Sequence, residues 1–306
     1  MVLPIITSYR LDPHANSRIP DWVYLNLVQA RLWNPNAQIY LITDQTEFPA
    51  VEQIPILKTI NFVYAPSLES DEVKHFYKTY FPLSINPFFY ERACIERWLL
   101  IRELTKQNKI DKFFHMDTDV MLFCDVDQNS RLYDGCHLTT LGLGSFGTSH
   151  FLHPNVIDDF CKMLLEFYER RSYIYQKGLH IVGITDPDRV AVDNISDMFF
   201  VSLFINEYKK SFDMKITSCD DPKYGGIFDC HMNIDNPGVE MDGGHKKIYW
   251  FEGLPYSRYI NTDNYIQMFC LHFQGGAKGI IPQFFDHAVR ELSIHQKEKL
   301  APFFCA

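Results

Sequence analysis

The sequence predicts an α/β fold: one compact domain with a mostly parallel sheet flanked by helices. Three observations predict it. Short apolar runs, Val2 to Ser8 and Ile39 to Thr43, end in small polar or acidic residues, as buried parallel strands do. Between them lies an amphipathic stretch opened by Pro20-Asp21, running through Trp33 and closed by Asn34-Pro35, so strand, helix and strand follow at βαβ spacing. The chain of 306 residues, 46% hydrophobic and 22% charged, is long enough to bury a sizeable core.

The rest of the chain continues this pattern. Residues 45–88 are rich in Pro and aromatics and carry no clear period. Glu91 to Gln107 is helical, with Cys94, Ile95, Trp98 and Ile101 on one face. Asp111 to Met116 leads into a strand that stops at Asp117-Thr118-Asp119 and resumes over Val120 to Phe123. Leu138 to His153 alternates and is Gly-rich, which predicts another strand. Val156, Ile157, Phe160, Leu164 and Phe167 mark a helix, and Ser196 to Lys209 a further one. Residues 218–264 read as turns, with Asn236-Pro-Gly238 and Asp242-Gly-Gly244 among them. One half of the domain, over about 1–135, would continue into a second half over about 136–306.

Composition excludes some partners. The formal net charge is -9 and no Lys/Arg run exceeds two residues, so nucleic acid, which needs clustered cations, is not expected. No segment reaches the roughly 18 apolar residues of a membrane span. The N-terminus has no basic region followed by a long apolar run, so a cytoplasmic address is expected, with peripheral membrane contact left open. The eight cysteines are scattered without a C-x-x-C and read as reduced. Aromatics make up 15% of the chain, most of them core, though they also offer stacking surfaces for sugar or base rings.

Two segments carry chemistry. In Phe114-His-Met-Asp117-Thr118-Asp119-Val-Met-Leu-Phe123, carboxylates at i and i+2 sit between apolar strand segments. On a strand they share a face, and at a strand end they can converge on one hard cation such as Mn²⁺ or Mg²⁺. The plainer alternative is a strand ending in solvated acidic residues. About 150 residues on, Leu271-His272-Phe-Gln-Gly275-Gly276-Ala-Lys278-Gly279 combines an imidazole that can join a Mn²⁺ site, glycines that admit close backbone approach, and a point charge for a diphosphate. Singly, His272 reads as a core histidine and Gly275-Gly276 as a turn.

Together the two motifs resemble those of GT-A-fold, Rossmann-like glycosyltransferases, most closely the retaining group that includes glycogenin-like and lipopolysaccharide galactosyltransferase-like enzymes. That group pairs a D-x-D with a C-terminal H-x-x-G-x-x-K-P-W. Asp117 and Asp119 match the first motif, and His272, Gly275 and Lys278 match the second at identical spacing, with Gly279-Ile280 in place of Pro-Trp. The resemblance implies a metal held by Asp117, Asp119 and His272, and a nucleotide-diphosphate sugar, UDP first among donors, as substrate. It places Thr7, Ser8 and Tyr9 in a nucleobase-binding loop, with Asp44 at the base edge. It puts Arg92 near the sugar-nucleotide, Thr118 between the metal ligands, and Gly275, Gly276 and Lys278 at the diphosphate. Ser145-Phe-Gly147-Thr would line the sugar pocket. Asp197, or else Asp193, would stand next to the reacting sugar carbon, although Met198 replaces the group's Gln. The acceptor, whether saccharide, lipid-linked, protein or small molecule, is not legible. The rival readings are a GT-A protein that binds without turnover, an inverting transferase, and a metal-dependent phosphohydrolase or nucleotidyltransferase.

Overall fold

The computed structural model describes residues 2–14, 18–84, 86–142, 144–170, 196–217, 224–235 and 238–291. Its main sheet has seven strands in the order β3 (Asn61–Tyr64), β2 (Ile39–Thr43), β1 (Ile5–Tyr9), β4 (Phe113–Met116), β7 (Thr148–Phe151), β6 (Leu138–Thr140) and β8 (Met214–Ile216). Four of its six pairings are parallel, and only β7 runs against its neighbours. The expected mostly parallel α/β sheet is present.

Both faces of the centre of this sheet are covered, which is why β2, β4, β6 and β7 are buried at every position rather than alternately. In β1, Ile5 packs with α1 (Asp21–Trp33) through Val23, Leu27 and Val28. Its neighbour Ile6 points to the opposite layer of Trp98, Leu99, Phe160 and Phe200, from α4 (Phe88–Asn108), α6 (Pro154–Glu169) and α7 (Asp197–Tyr208). Smaller helices α2 (Pro49–Gln53), α3 (Asp71–Thr79) and α5 (Val126–Ser130) fill the connections, and α8 (Ile281–Glu291) packs beside α1. The Asn34-Pro35 stop of α1 has a physical basis. The Asn34 amide donates to the carbonyls of Ala30 and Cys124 and accepts from Val126 N–H. Arg31 meanwhile donates to the carbonyls of Asn34, Pro35, Ala37 and Thr59.

Three expectations are corrected. The run from Leu138 to His153 is two antiparallel strands, β6 and β7, because Gly142 adopts φ 57° and turns the chain between them. Residues 45–88, whose sequence carries no clear period, hold α2, β3 and α3; Ser70 caps α3 by accepting from Val73 N–H. The turn-rich stretch contains β9 (Ile227–Phe228), β10 (Met241–Asp242), β11 (His245–Lys246), β12 (Tyr249–Phe251) and β13 (Leu254–Arg258).

The strand after the D-x-D, β5 (Val120–Leu122), leaves the main sheet altogether. It pairs antiparallel with β14 (Tyr265–His272) in a second sheet ordered β12-β13-β14-β5. Asp117, Thr118 and Asp119 are therefore the crossing between two sheets, and His272 lies opposite Val120 at the end of β14.

Candidate active site

The crossing brings both motifs into one cleft. β4 delivers Asp117, whose backbone N–H donates to the Gly147 carbonyl (2.8 Å). Two residues on, the Asp119 carbonyl accepts from Phe273 N–H (2.9 Å), tying the D-x-D to the residue after His272. Asn26 on α1 holds the intervening peptide by donating to the Thr118 carbonyl (2.8 Å).

On this scaffold, one ligand atom each from Asp117, Asp119 and His272 lies within 4.8 Å of the others. His272 Nε2 is 3.3 Å from Asp119 Oδ1 and 3.8 Å from Asp117 Oδ2. Two carboxylate oxygens and an imidazole nitrogen are a donor set suited to Mn²⁺ or Mg²⁺. The space beside them is reserved: a Cβ on Gly147 would sit 2.9 Å from Asp117 Oδ2 and 3.2 Å from His272 Cε1. The residues present thus fit a divalent cation. Lys278, on the turn Gly275–Ile280 entered by Gly275 at φ 57°, brings Nζ to 3.2 Å from Asp119 Oδ2 and 5.3 Å from the Trp22 ring centroid.

One cation was not foreseen. Arg97 on α4 bridges Asp117 and Asp197, 2.6 Å from each carboxylate, while its guanidinium lies over the Trp98 ring. The signal was present: Arg97 is three residues past Cys94 and four before Ile101, on the stripe that faces the sheet. A charged residue on a buried stripe needs a partner. Asp197 begins α7, where the positive end of the helix dipole favours a carboxylate.

Charges perturb one another here. Burial would raise the Asp117 carboxyl, but Arg97, His115 and His272 outweigh it and hold it well below the usual range. Asp119 is likewise lowered: burial and Asp117 oppose the shift, and His272 and Lys278 win. At Asp197 burial prevails over Arg97, with help from Asp117, and the carboxyl is raised. The His272 imidazole is raised despite burial, because Asp119, Asp117 and Asp229 surround it. His115 is lowered by burial; its Nδ1 donates to the Ile6 carbonyl (3.0 Å), which turns Nε2 to within 3.4 Å of Asp117 Oδ1.

The remaining expected residues surround this centre less tightly. Thr7 is buried within β1, Ser8 follows it, and Tyr9 ends the strand edge-on to Trp22 (5.9 Å). Asp44 is engaged by Arg10 Nε (2.7 Å) and Leu11 N–H (3.1 Å), and Arg10 also pairs with the buried Glu96 (2.5 Å). Arg92 lies among the rings of Tyr77, Phe88 and Phe89 and 3.4 Å from Glu96; the structure brings Arg97, not Arg92, to the D-x-D carboxylates. Gly276 follows Gly275 in the same turn. Asp193 lies outside the described residues.

No family model matches the chain, and no curated protein matches it. Among solved structures it is similar to the apo form of mouse xyloside xylosyltransferase 1 (TM-score 0.43, 10% identity, 72% of this chain and 86% of that one). It is also similar to a glycosyltransferase involved in glycosylation of the major capsid of PBCV-1 (TM-score 0.40, 11% identity, 94% of this chain and 100% of that one). A cytidylyltransferase from Leptospira borgpetersenii is a third (TM-score 0.36, 11% identity, 71% of this chain and 75% of that one). No helix among the described residues is long and apolar enough to cross a membrane.

Proposed function

We propose that this protein is a metal-dependent glycosyltransferase that moves a sugar from a nucleotide-diphosphate donor. The observation that carries the reading is the convergence of Asp117, Asp119 and His272 from two sheets, with Lys278 beside them. A partly buried carboxylate pair at the crossing between two sheets, with an imidazole beside it, has a chemical use when charge must be neutralised on a diphosphate leaving group. A cation bound by the three residues supplies that positive charge. Lys278 adds a second, fixed one, and such preorganised groups are typically worth a few kcal/mol each in the transition state. Arg97 compensates Asp117 and orients Asp197, which we place, with Asp193 as the alternative, toward the sugar carbon.

The likeness of the two motifs to the GT-A group supports UDP as the nucleotide and retention as the stereochemical outcome. The first half, about residues 1–135, would bind the nucleotide through Thr7, Ser8, Tyr9, Asp44 and Arg92, with Thr118, Gly275 and Gly276 at the diphosphate. The second half, about 136–306, would face the acceptor. Calorimetric titration with UDP in the presence of Mn²⁺ tests the site directly. Binding that requires Mn²⁺ and is lost in Asp119→Ala is the expected result, and metal-independent binding or none contradicts it.

A further inference from the structure

Behind His272 lies an ion pair that the D-x-D site does not itself contain. Asp229 follows directly on β9, which pairs with β14 through Ile227 and Phe228 and then ends. His272 N–H is therefore left without a strand partner on that side of β14. The Asp229 carboxylate takes its place: Oδ2 accepts from His272 N–H at 3.0 Å. Oδ1 is held by Lys246 Nζ at 2.5 Å, and both side chains are fully buried (0% exposed). Lys246 Nζ also donates to the His231 carbonyl (2.8 Å), and Lys246 N–H donates to the Met232 carbonyl (2.8 Å). Met232 N–H in turn donates to the His272 carbonyl (2.9 Å).

Both backbone polar groups of His272 are thus gripped by one segment, residues 229–232, which Lys246 ties to β11. A fully buried ion pair is costly to desolvate and gives weak stability by itself. An apolar pair of similar volume would avoid that desolvation cost. What an apolar pair cannot do is accept a hydrogen bond from His272 N–H or hold that acceptor in one place.

We infer that Asp229 and Lys246 are positioning residues for the candidate metal centre, fixing the backbone of His272 so that its imidazole stays aimed at Asp119. The link to metal rests on the function proposed above; the grip on His272 does not. Outer-shell partners of this kind typically change metal affinity by 10–100-fold when removed.

The test uses the full chain and two readouts: amide hydrogen exchange at His272, and Mn²⁺ affinity by titration. Asp229→Leu with Lys246→Met removes both charges together, so no unpaired charge is left in the core. His272 amide exchange is expected to accelerate, and the Mn²⁺ Kd to rise about 10–100-fold, with a cooperative thermal transition retained. Asp229→Asn with Lys246→Met restores an acceptor for His272 N–H and is expected to recover most of both. Wild-type protection and wild-type Mn²⁺ affinity in the apolar pair would overturn the inference. Should that pair not fold, the smaller neutral pair Asp229→Ala with Lys246→Met decides: it too removes the acceptor for His272 N–H and leaves no charge behind, so protection and affinity both fall, and both unchanged refute the inference. A wild-type protein that binds no Mn²⁺ would sink the metal reading, and the exchange data would still decide the grip on His272.

Discussion

Gly147→Ala is the substitution that probes the candidate site with the least disturbance elsewhere. Gly147 is not in the left-handed region, so its backbone tolerates Ala, and the cost is purely steric. The added Cβ would stand 2.9 Å from Asp117 Oδ2, against about 3.4 Å for ordinary contact. The Gly147 carbonyl is bonded to Asp117 N–H, so the two backbones cannot easily part and the carboxylate must give by about 0.5 Å. Metal ligands tolerate displacements of only about 0.2 Å. The Asp117 side chain, 20% exposed, has the cleft to move into, so the folding cost should be small, about 1 kcal/mol at the low end of overpacking effects. The Mn²⁺ affinity should instead fall by at least about tenfold. Isothermal titration with Mn²⁺, beside a thermal melt, measures both. An Ala variant that binds Mn²⁺ as tightly as wild type would refute the placement of the cation beside Gly147.

Two further outcomes follow from the same geometry. Arg97→Met leaves Asp117 and Asp197 facing each other without their shared cation. Because the three side chains are 14–20% exposed, the loss in urea denaturation should be about 2 kcal/mol, below the 3–5 kcal/mol of a fully buried pair. That cost should shrink in strong acid, because the stabilisation Arg97 gives to Asp117 is fully present above the ordinary Asp pKa and is lost progressively as pH falls below it toward the lowered value of the folded state. Away from the site, burial pushes the His150 imidazole down from 6.5 to about 3. The folded state refuses a proton that the unfolded state takes, so His150 costs stability as pH falls below about 6.5. At pH 5 the loss is about 2 kcal/mol. His150→Gln should reduce the difference in stability between pH 7 and pH 5 by that amount, and an unchanged difference would contradict the buried neutral state.

What the sequence revealed and what it hid have separate physical causes. The β1-α1-β2 unit was legible because both sheet faces are buried there, which leaves Ile39–Thr43 buried at every position and dominated by Ile and Leu. The D-x-D and the His272–Lys278 segment were legible because carboxylates and an imidazole adjoining core strands demand compensation. The change of sheet at Asp117 to Asp119 was not legible, since strand periodicity says nothing about which neighbour a strand will pair with. Arg97 lies on the apolar stripe of α4, but the same helix also buries Glu91, Glu96 and Arg102, so a buried charge there does not single out the site. Strands β9 to β13 have two to five residues between glycines and prolines and look like turns. The pair Asp229–Lys246 joins residues 17 apart only through tertiary packing.

The most direct measurement of the central claim is the release of nucleoside diphosphate from a panel of UDP- and GDP-sugars with Mn²⁺, comparing wild type with Asp119→Ala. The account predicts nucleoside diphosphate, not monophosphate, from one donor, abolished by chelator and reduced about 10²–10³-fold or more by the substitution. Nucleoside monophosphate as the product, or release that survives both chelation and Asp119→Ala, would contradict it.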